Sequence, residues 1–180
     1  MTGTGTAAVI REACVSEAEW IAALHAASWQ ATYASVLQQA YLRDAVPAER
    51  SAVWRQRLSE PRPNQRVLVA VESDRVVGFA CAFIDEHAVQ GSYLENLHVA
   101  SQVQGGGIGA LLMRSIASVC AKAAQSPGLY LLVNQDNVRA QRFYLGLGAS
   151  NAAESVWNAP EGSIVPTYRF EWPSVRDLAA

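Results

Sequence analysis

A run of glycines precedes an apolar segment in QVQGGGIGALLMR, Gln102 to Arg114. Gly105, Gly106, Gly107 and Gly109 stand where helical spacing of apolar residues begins, although glycine weakens a helix by about 1 kcal/mol relative to alanine. The N-terminus of a helix carries unpaired N–H groups and a partial positive charge, so it binds anions. Glycines just before it let several N–H groups approach phosphate oxygens without side chains in the way. The stretch therefore predicts either a tight turn or a phosphate site.

Three kinds of phosphate-binding site use such a turn: the P-loop, the dinucleotide-binding turn and the site for the pyrophosphate of coenzyme A. A P-loop is excluded, because GxxxxGK[ST] is absent and Ala110 follows Gly109. A dinucleotide fingerprint fits Gly105, Gly107 and Ala110 formally, but the preceding strand ends near Val99, too early for that turn. No acidic residue ends the next strand at the expected spacing either. The pyrophosphate of coenzyme A is the third class, and a purely structural turn also stays open on this motif alone.

A second motif lies one strand further along the chain, in NQDNVRAQRFYLGLGA, residues 134–149. Together the two motifs resemble the GCN5-related N-acetyltransferases, in which an apolar strand leads to [QR]-x-x-G-x-[GA] at a helix start and N-x-x-A-x-x-F-Y-x-x-x-G follows. The matching residues are Gln104, Gly107 and Gly109 in the first pattern, and Asn137, Ala140, Phe143, Tyr144 and Gly148 in the second. The resemblance covers about residues 8 to 172. Gly106 departs from it, because lysine or arginine is common at that position.

The resemblance implies an acetyltransferase that moves an acetyl group from acetyl-CoA to a primary amine by direct attack in a ternary complex. It assigns Tyr144 as the general acid for the departing thiolate. It assigns binding of the pantetheine arm and the thioester to Leu97, His98 and Val99, and binding of the pantetheine amides to Asn134 and Asn137. It assigns binding of the phosphates to the residues of the glycine-rich turn, which are Gln104, Gly105, Gly106, Gly107, Ile108, Gly109 and Ala110. Asn137 also suits the N-cap of the following helix. The alternative is an acyl-CoA-binding module without transferase activity.

The base and the acceptor site are hypotheses from residue type and position. Glu95 lies two residues before Leu97 and, by strand alternation, on the same face as Leu97 and Val99, where a carboxylate could take the amine's proton. A solvated or salt-bridged glutamate fits the sequence equally well. Trp29 and Tyr33 are candidates for one wall of the acceptor site, where aromatic rings could hold a cationic amine, although an aromatic stripe at helical spacing is also typical of a core.

The order of elements indicates how these residues are positioned. Apolar spacing predicts a first strand, N-terminal helices, a three-strand meander whose first turn is Ser73 and Asp74, and then helix, strand, helix and strand. The predicted fold is α/β (α+β), with a mixed, mostly antiparallel central sheet of six to seven strands flanked by helices. We expect a flexible N-terminus at 1–7, a single domain at 8–172 and a C-terminal tail at 173–180.

Composition excludes several functions. The net charge of −2 argues against nucleic acid as a partner, and no apolar run approaches the roughly 20 residues of a membrane helix. The three cysteines are far apart and predict buried, reduced thiols and a cytoplasmic protein. The three histidines lack ligand spacing, so no metal is expected. The remaining partner is a small-molecule amine or a protein amine, and a homodimer is compatible with the sequence.

Overall fold

The computed structural model describes residues 8–179, and within them seven strands form one open sheet. The strands are β1 Val9–Glu12, β2 Gln65–Glu72, β3 Arg75–His87, β4 Gly91–Val99, β5 Leu129–Asn134, β6 Ser150–Asn158 and β7 Ile164–Trp172. The helices are α1 Ala18–Thr32, α2 Val46–Ser59, α3 Ile108–Ala123, α4 Val138–Gly146 and α5 Arg176–Ala179. The flexible N-terminus predicted at 1–7 lies outside the described residues.

The strand order is β1-β2-β3-β4-β5-β7-β6, and every neighbouring pair is antiparallel except β4 and β5. The predicted mixed, mostly antiparallel sheet is therefore confirmed, with seven strands. The hairpin between β2 and β3 turns at Ser73 and Asp74, which have φ of 48° and 61°. Both central residues of a type I′ turn need positive φ, and that turn matches the twist of a hairpin.

Helices cover both faces of the sheet because their apolar sides match the strands beneath them. On one face α3 buries Ile108, Leu112, Ile116 and Cys120 against the central strands. On the other face α1 and α2 pack on β2 and β3 through a cluster that includes Trp54. The sequence predicted buried cysteines, and Cys81 and Cys120 are buried, whereas Cys14 is exposed.

The chain continues to pack beyond residue 172, in the segment for which the sequence predicted a tail. Val175 and Leu178 are 1% and 5% exposed and belong to the same core cluster as α3. The Val175 N–H donates to the Pro127 carbonyl oxygen at 2.9 Å. Residues 173–179 therefore close the α3 side of the sheet.

Candidate active site

The parallel strands β4 and β5 separate soon after they meet, and this separation creates the site. Their ladder contains only the pairs Ser92–Leu129 and Tyr93–Tyr130. Beyond these pairs β4 runs on to Val99 without a partner on that side, so alternate N–H groups point into the gap. β4 is therefore splayed away from β5 over residues 94–99. The gap opens into a cavity of about 1170 Å³.

All predicted site residues but one line this cavity. Those that do are Trp29, Tyr33, Glu95, Leu97, His98, Val99, Gln104, Gly105, Gly107, Ile108, Gly109, Ala110, Asn134, Asn137 and Tyr144. Gly106 is exposed outside the lining, and its N–H donates to the Val103 carbonyl at 3.4 Å. The residues predicted to bind the coenzyme and those predicted to bind the acceptor therefore line the same cavity.

The glycine-rich turn presents open backbone to the cavity. Gly105 and Gly107 have φ of 87° and 84°, which glycine alone adopts without strain, and a Cβ at either would meet nothing within 4 Å. Gly107 is the N-cap of α3, and the Leu111 N–H donates to its carbonyl at 3.0 Å. The N–H groups of Ile108, Gly109 and Ala110 precede that bond and are left for a ligand. The geometry fits an anion such as pyrophosphate.

The second motif forms the opposite edge of the gap, where β5 leads into α4. Asn137 caps α4, since its Oδ1 accepts the Ala140 N–H at 3.1 Å. Asn134 is 6% exposed, and its Oδ1 accepts the Asp136 N–H at 3.0 Å. The Asn134 Nδ2 has no hydrogen-bond partner within residues 8–179. An unpaired buried amide beside a cavity is available to a ligand carbonyl.

Tyr144 extends from α4 into the cavity. Its ring packs edge-on against Phe143 at 5.2 Å and Trp172 at 6.1 Å between centroids. The residue is partly buried, and its hydroxyl makes no hydrogen bond to any side chain or backbone group in the described part of the chain, so it is available to a ligand in the cavity. Burial raises the pKa of Tyr144 above its ordinary value, so the phenol stays protonated at neutral pH.

Glu95 lies on the opposite face of β4 from the one predicted. The register with β3 passes from Cys81–Asn96 to Ala82–Leu94, so Glu95 is the extra residue of a β-bulge. The bulge breaks the alternation, and Leu97 and Val99 pack on the α3 side. Glu95 instead faces α2, where both of its carboxylate oxygens accept from Arg57. The shared face inferred for Glu95, Leu97 and Val99 is therefore wrong.

His98 is half-buried in a polar cluster at the floor of the cavity, next to the fully buried His25. Its Nδ1 lies 2.6 Å from the Ser28 Oγ, and its ring centroid is 4.7 Å from that of His25. Burial lowers the pKa of His98 to about 4, and burial with the nearby His98 lowers the pKa of His25 far below its ordinary value. The His25 Nδ1 accepts from the Trp54 indole at 2.9 Å. Both imidazoles are therefore neutral at pH 7.

The wall of the cavity that was predicted to bind the acceptor carries positive charge that the sequence prediction did not include. Trp29 is 7% exposed, and the guanidinium carbon of Arg50 lies 4.5 Å from the centroid of its ring. The ring thus already holds a cation that belongs to the protein. Sequence reasoning missed Arg50 and Arg57, which both line the cavity. Their spacing with Trp54 at i, i+4 and i+7 on α2 was the available signal that they share a face.

Other site classes find no support in the part of the chain that is described. No group of three or more His, Cys, Asp or Glu residues among 8–179 could hold a metal ion. None of the helices formed by these residues has the length and apolar character needed to cross a membrane.

The fold, the glycine-rich turn and the gap between the parallel strands are those expected for the acetyltransferase family that the two sequence motifs resemble, and comparison with known proteins tests this expectation. The model of the acetyltransferase (GNAT) family matches residues 25–149, so the chain belongs to this family. The family is that of the acetyltransferases, and the structural neighbours named below include proteins solved with coenzyme A and with acetyl-CoA. The resemblance stated from the two sequence motifs is confirmed.

A curated relative and two solved structures show what the chain is similar to. Thialysine N-epsilon-acetyltransferase of Bos taurus is 31% identical over 107 residues, and the match spans 58% of each chain. The PaiA N-acetyltransferase of Thermoplasma acidophilum, solved with coenzyme A, has a TM-score of 0.68 at 17% identity over 90% of this chain and 98% of its own. YncA of Salmonella typhimurium, solved with acetyl-CoA, has 0.67 at 16% identity over 93% and 94%.

Proposed function

We propose that this protein transfers the acetyl group of acetyl-CoA to a primary amine by direct attack while both substrates are bound. The observation that carries the proposal is the gap between β4 and β5, which lies between the glycine-rich turn and the α1–α2 wall. A coenzyme bound along this gap exposes its thioester to the α1–α2 side of the same cavity. No side chain is needed to carry the acetyl group, because the two substrates meet directly.

The coenzyme contacts follow from backbone groups and amides left unpaired by the protein. The N–H groups at the start of α3 bind the pyrophosphate, and the unpaired N–H groups of β4 near Leu97 and Val99 bind the pantetheine arm and polarise the thioester carbonyl. The free Nδ2 of Asn134 supports a contact with a pantetheine carbonyl. Gly106 contributes only to the shape of the turn, since it does not line the cavity.

Two proton movements accompany the transfer. The amine nitrogen forms a bond to the carbonyl carbon, the C–S bond breaks, and the departing sulfur takes a proton from the Tyr144 hydroxyl. Tyr144 suits this role because its hydroxyl is unpaired by the described residues and its raised pKa keeps it protonated. The proton from the amine passes through water to Glu95, whose oxygens are also engaged by Arg57.

The name of the bovine relative supports an amine at the end of a side chain as the acceptor, since that protein acetylates the ε-nitrogen of thialysine. A panel of primary amines incubated with acetyl-CoA tests the proposal by mass spectrometry of the acetylated products. We expect N-acetylation of at least one small-molecule amine and no acetylated enzyme intermediate. A stable acetyl group on the protein, or acetylation of hydroxyl acceptors alone, would contradict the direct-attack proposal.

A further inference from the structure

Arg50 is a largely buried cation on the α1–α2 wall of the cavity, and the proposed chemistry does not use it. Its side chain is 13% exposed and lines the cavity. The Arg50 Nε is buried without a hydrogen-bond partner, and the guanidinium donates no hydrogen bond to any residue among 8–179. Its nearest carboxylate is an oxygen of Glu49 at 3.9 Å, too far for a hydrogen bond. That oxygen already accepts the Tyr41 hydroxyl at 2.6 Å.

Of the other two arginines that line the cavity, Arg57 is neutralised, and Arg139 is exposed at the start of α4, on the opposite side from α2. Arg57 makes a two-point ion pair with Glu95. Arg50 lies two helical turns from Arg57 on the same face of α2, about 10 Å along the helix axis. On the α1–α2 side of the described cavity, Arg50 is therefore the one guanidinium whose planar donors are open, at a site separated from the Glu95–Arg57 pair.

Arg50 is also held in place before any ligand binds. Its guanidinium lies over the Trp29 ring, and Trp29 packs edge-on against His25, Tyr33 and Trp157. A guanidinium stacked on a fixed ring loses little freedom when it binds a ligand, and its fork matches a carboxylate in two parallel hydrogen bonds. His25 connects this stack to His98 on the floor beside the thioester-binding part of β4.

We infer that Arg50 binds the carboxylate of the acceptor, so that the substrates are free amino acids rather than amines without an acid group. The inference rests on the proposed function and names its substrate class. One guanidinium balances one carboxylate. A doubly charged phosphate is disfavoured because the Glu49 carboxylate already lies 3.9 Å from Arg50 and would repel it. The amine of such an acceptor reaches the thioester while its carboxylate stays beneath α2.

Matched acceptors test the inference on the unaltered protein. Lysine and 1,5-diaminopentane, ornithine and 1,4-diaminobutane, and phenylalanine and 2-phenylethylamine each differ by the carboxylate alone. For a pair that is acetylated, we expect kcat/KM to be about a hundredfold higher for the amino acid, the scale of losing one partner of a buried charge pair. Equal or faster transfer to the decarboxylated amines would overturn the inference, even though it would leave the acetyltransferase proposal intact.

The variant Arg50→Gln completes a double-mutant cycle. It should lower kcat/KM about a hundredfold for the amino acid, mainly through KM, and within about threefold for the decarboxylated amine. Arg55→Gln is the matched control, because Arg55 is exposed on the same helix and pairs with Glu19. Equal losses on both acceptors would show that Arg50 only packs on Trp29. The melting temperature of the variant with and without acetyl-CoA shows whether it folds. If it does not fold, the comparison of amino acids with their decarboxylated amines on the wild type still tests the inference.

Two further measurements distinguish a wrong substrate class from a wrong proposed function. A short peptide with an aspartate beside its free N-terminal amine presents a carboxylate on a peptide, and its Arg50-dependent acetylation would overturn the assignment to free amino acids. Absence of transfer to every amine in the panel, with acetyl-CoA bound, would refute the proposed function itself. Transfer to amino acids that is lost in Arg50→Gln and retained in Arg55→Gln is the result that supports the inference.

Discussion

Replacing Tyr144 with phenylalanine removes one oxygen from the cavity and leaves the ring in place. The ring keeps its contacts with Phe143 and Trp172, and the hydroxyl has no partner among the described residues that would be left unpaired. We therefore expect the free energy of unfolding to change by no more than about 0.5 kcal/mol. The affinity for acetyl-CoA should also stay unchanged, because the coenzyme contacts that we propose lie on β4, α3 and the start of α4.

The loss should appear in turnover. A general acid contributes at least about 10²-fold to the rate, which corresponds to about 2.7 kcal/mol of transition-state stabilisation. Release of the coenzyme thiol at saturating acceptor measures kcat, and thermal melting with and without acetyl-CoA measures folding and binding. Tyr168→Phe is the control, because Tyr168 lies on β7 against the core and does not line the cavity. Wild-type kcat in Tyr144→Phe would refute the assignment of the acid.

Three further predictions concern the cap, the buried histidines and the base. Asn137→Ala should lower the free energy of unfolding by about 1 kcal/mol in chemical denaturation, because α4 loses the bond to the Ala140 N–H. The free energy of unfolding should fall as pH drops from 6.5 towards 4, by at most about 1.4 kcal/mol per pH unit for each histidine. Burial lowers the pKa of His25 and His98, so in this pH range only the unfolded chain binds protons readily at these residues. Equal free energies of unfolding at pH 7 and pH 5 would argue against this. Glu95→Gln should lower kcat at least about tenfold at pH 7 and less at pH 9, where more of the acceptor is already a neutral amine. If the ratio of wild-type kcat to mutant kcat is the same at both pH values, Glu95 is not the base.

The local parts of the site could be predicted from the sequence. The glycines at 105 and 107, the cap at Asn137 and the position of Tyr144 depend on residues close together in the chain, and the structure places all four at one gap. The hairpin at Ser73 and Asp74 is local for the same reason. Short-range turn and cap chemistry is set mainly by residue type, so sequence is sufficient for it.

The parts that sequence reasoning missed depend on distant partners. The side of β4 that Glu95 faces is reversed by a bulge, and a bulge is defined by the register with β3 rather than by alternation along one strand. Arg50 becomes part of the site only because α2 packs across α1 and carries it onto Trp29. The packed segment at 173–179 likewise needs the α3 surface that receives Val175 and Leu178.

The transfer itself is tested most directly by counting acetylated amine and free coenzyme thiol in the same reaction, for the wild type and for Gly107→Val. A β-branched residue is strained at a φ of 84°, and its side chain would occupy the open space where we propose that the pyrophosphate binds, so this variant should neither bind acetyl-CoA nor react. We expect one acetylated amine for each thiol released by the wild type, and neither product from folded Gly107→Val. Thiol release without acetylated amine, or wild-type turnover in Gly107→Val, would contradict it.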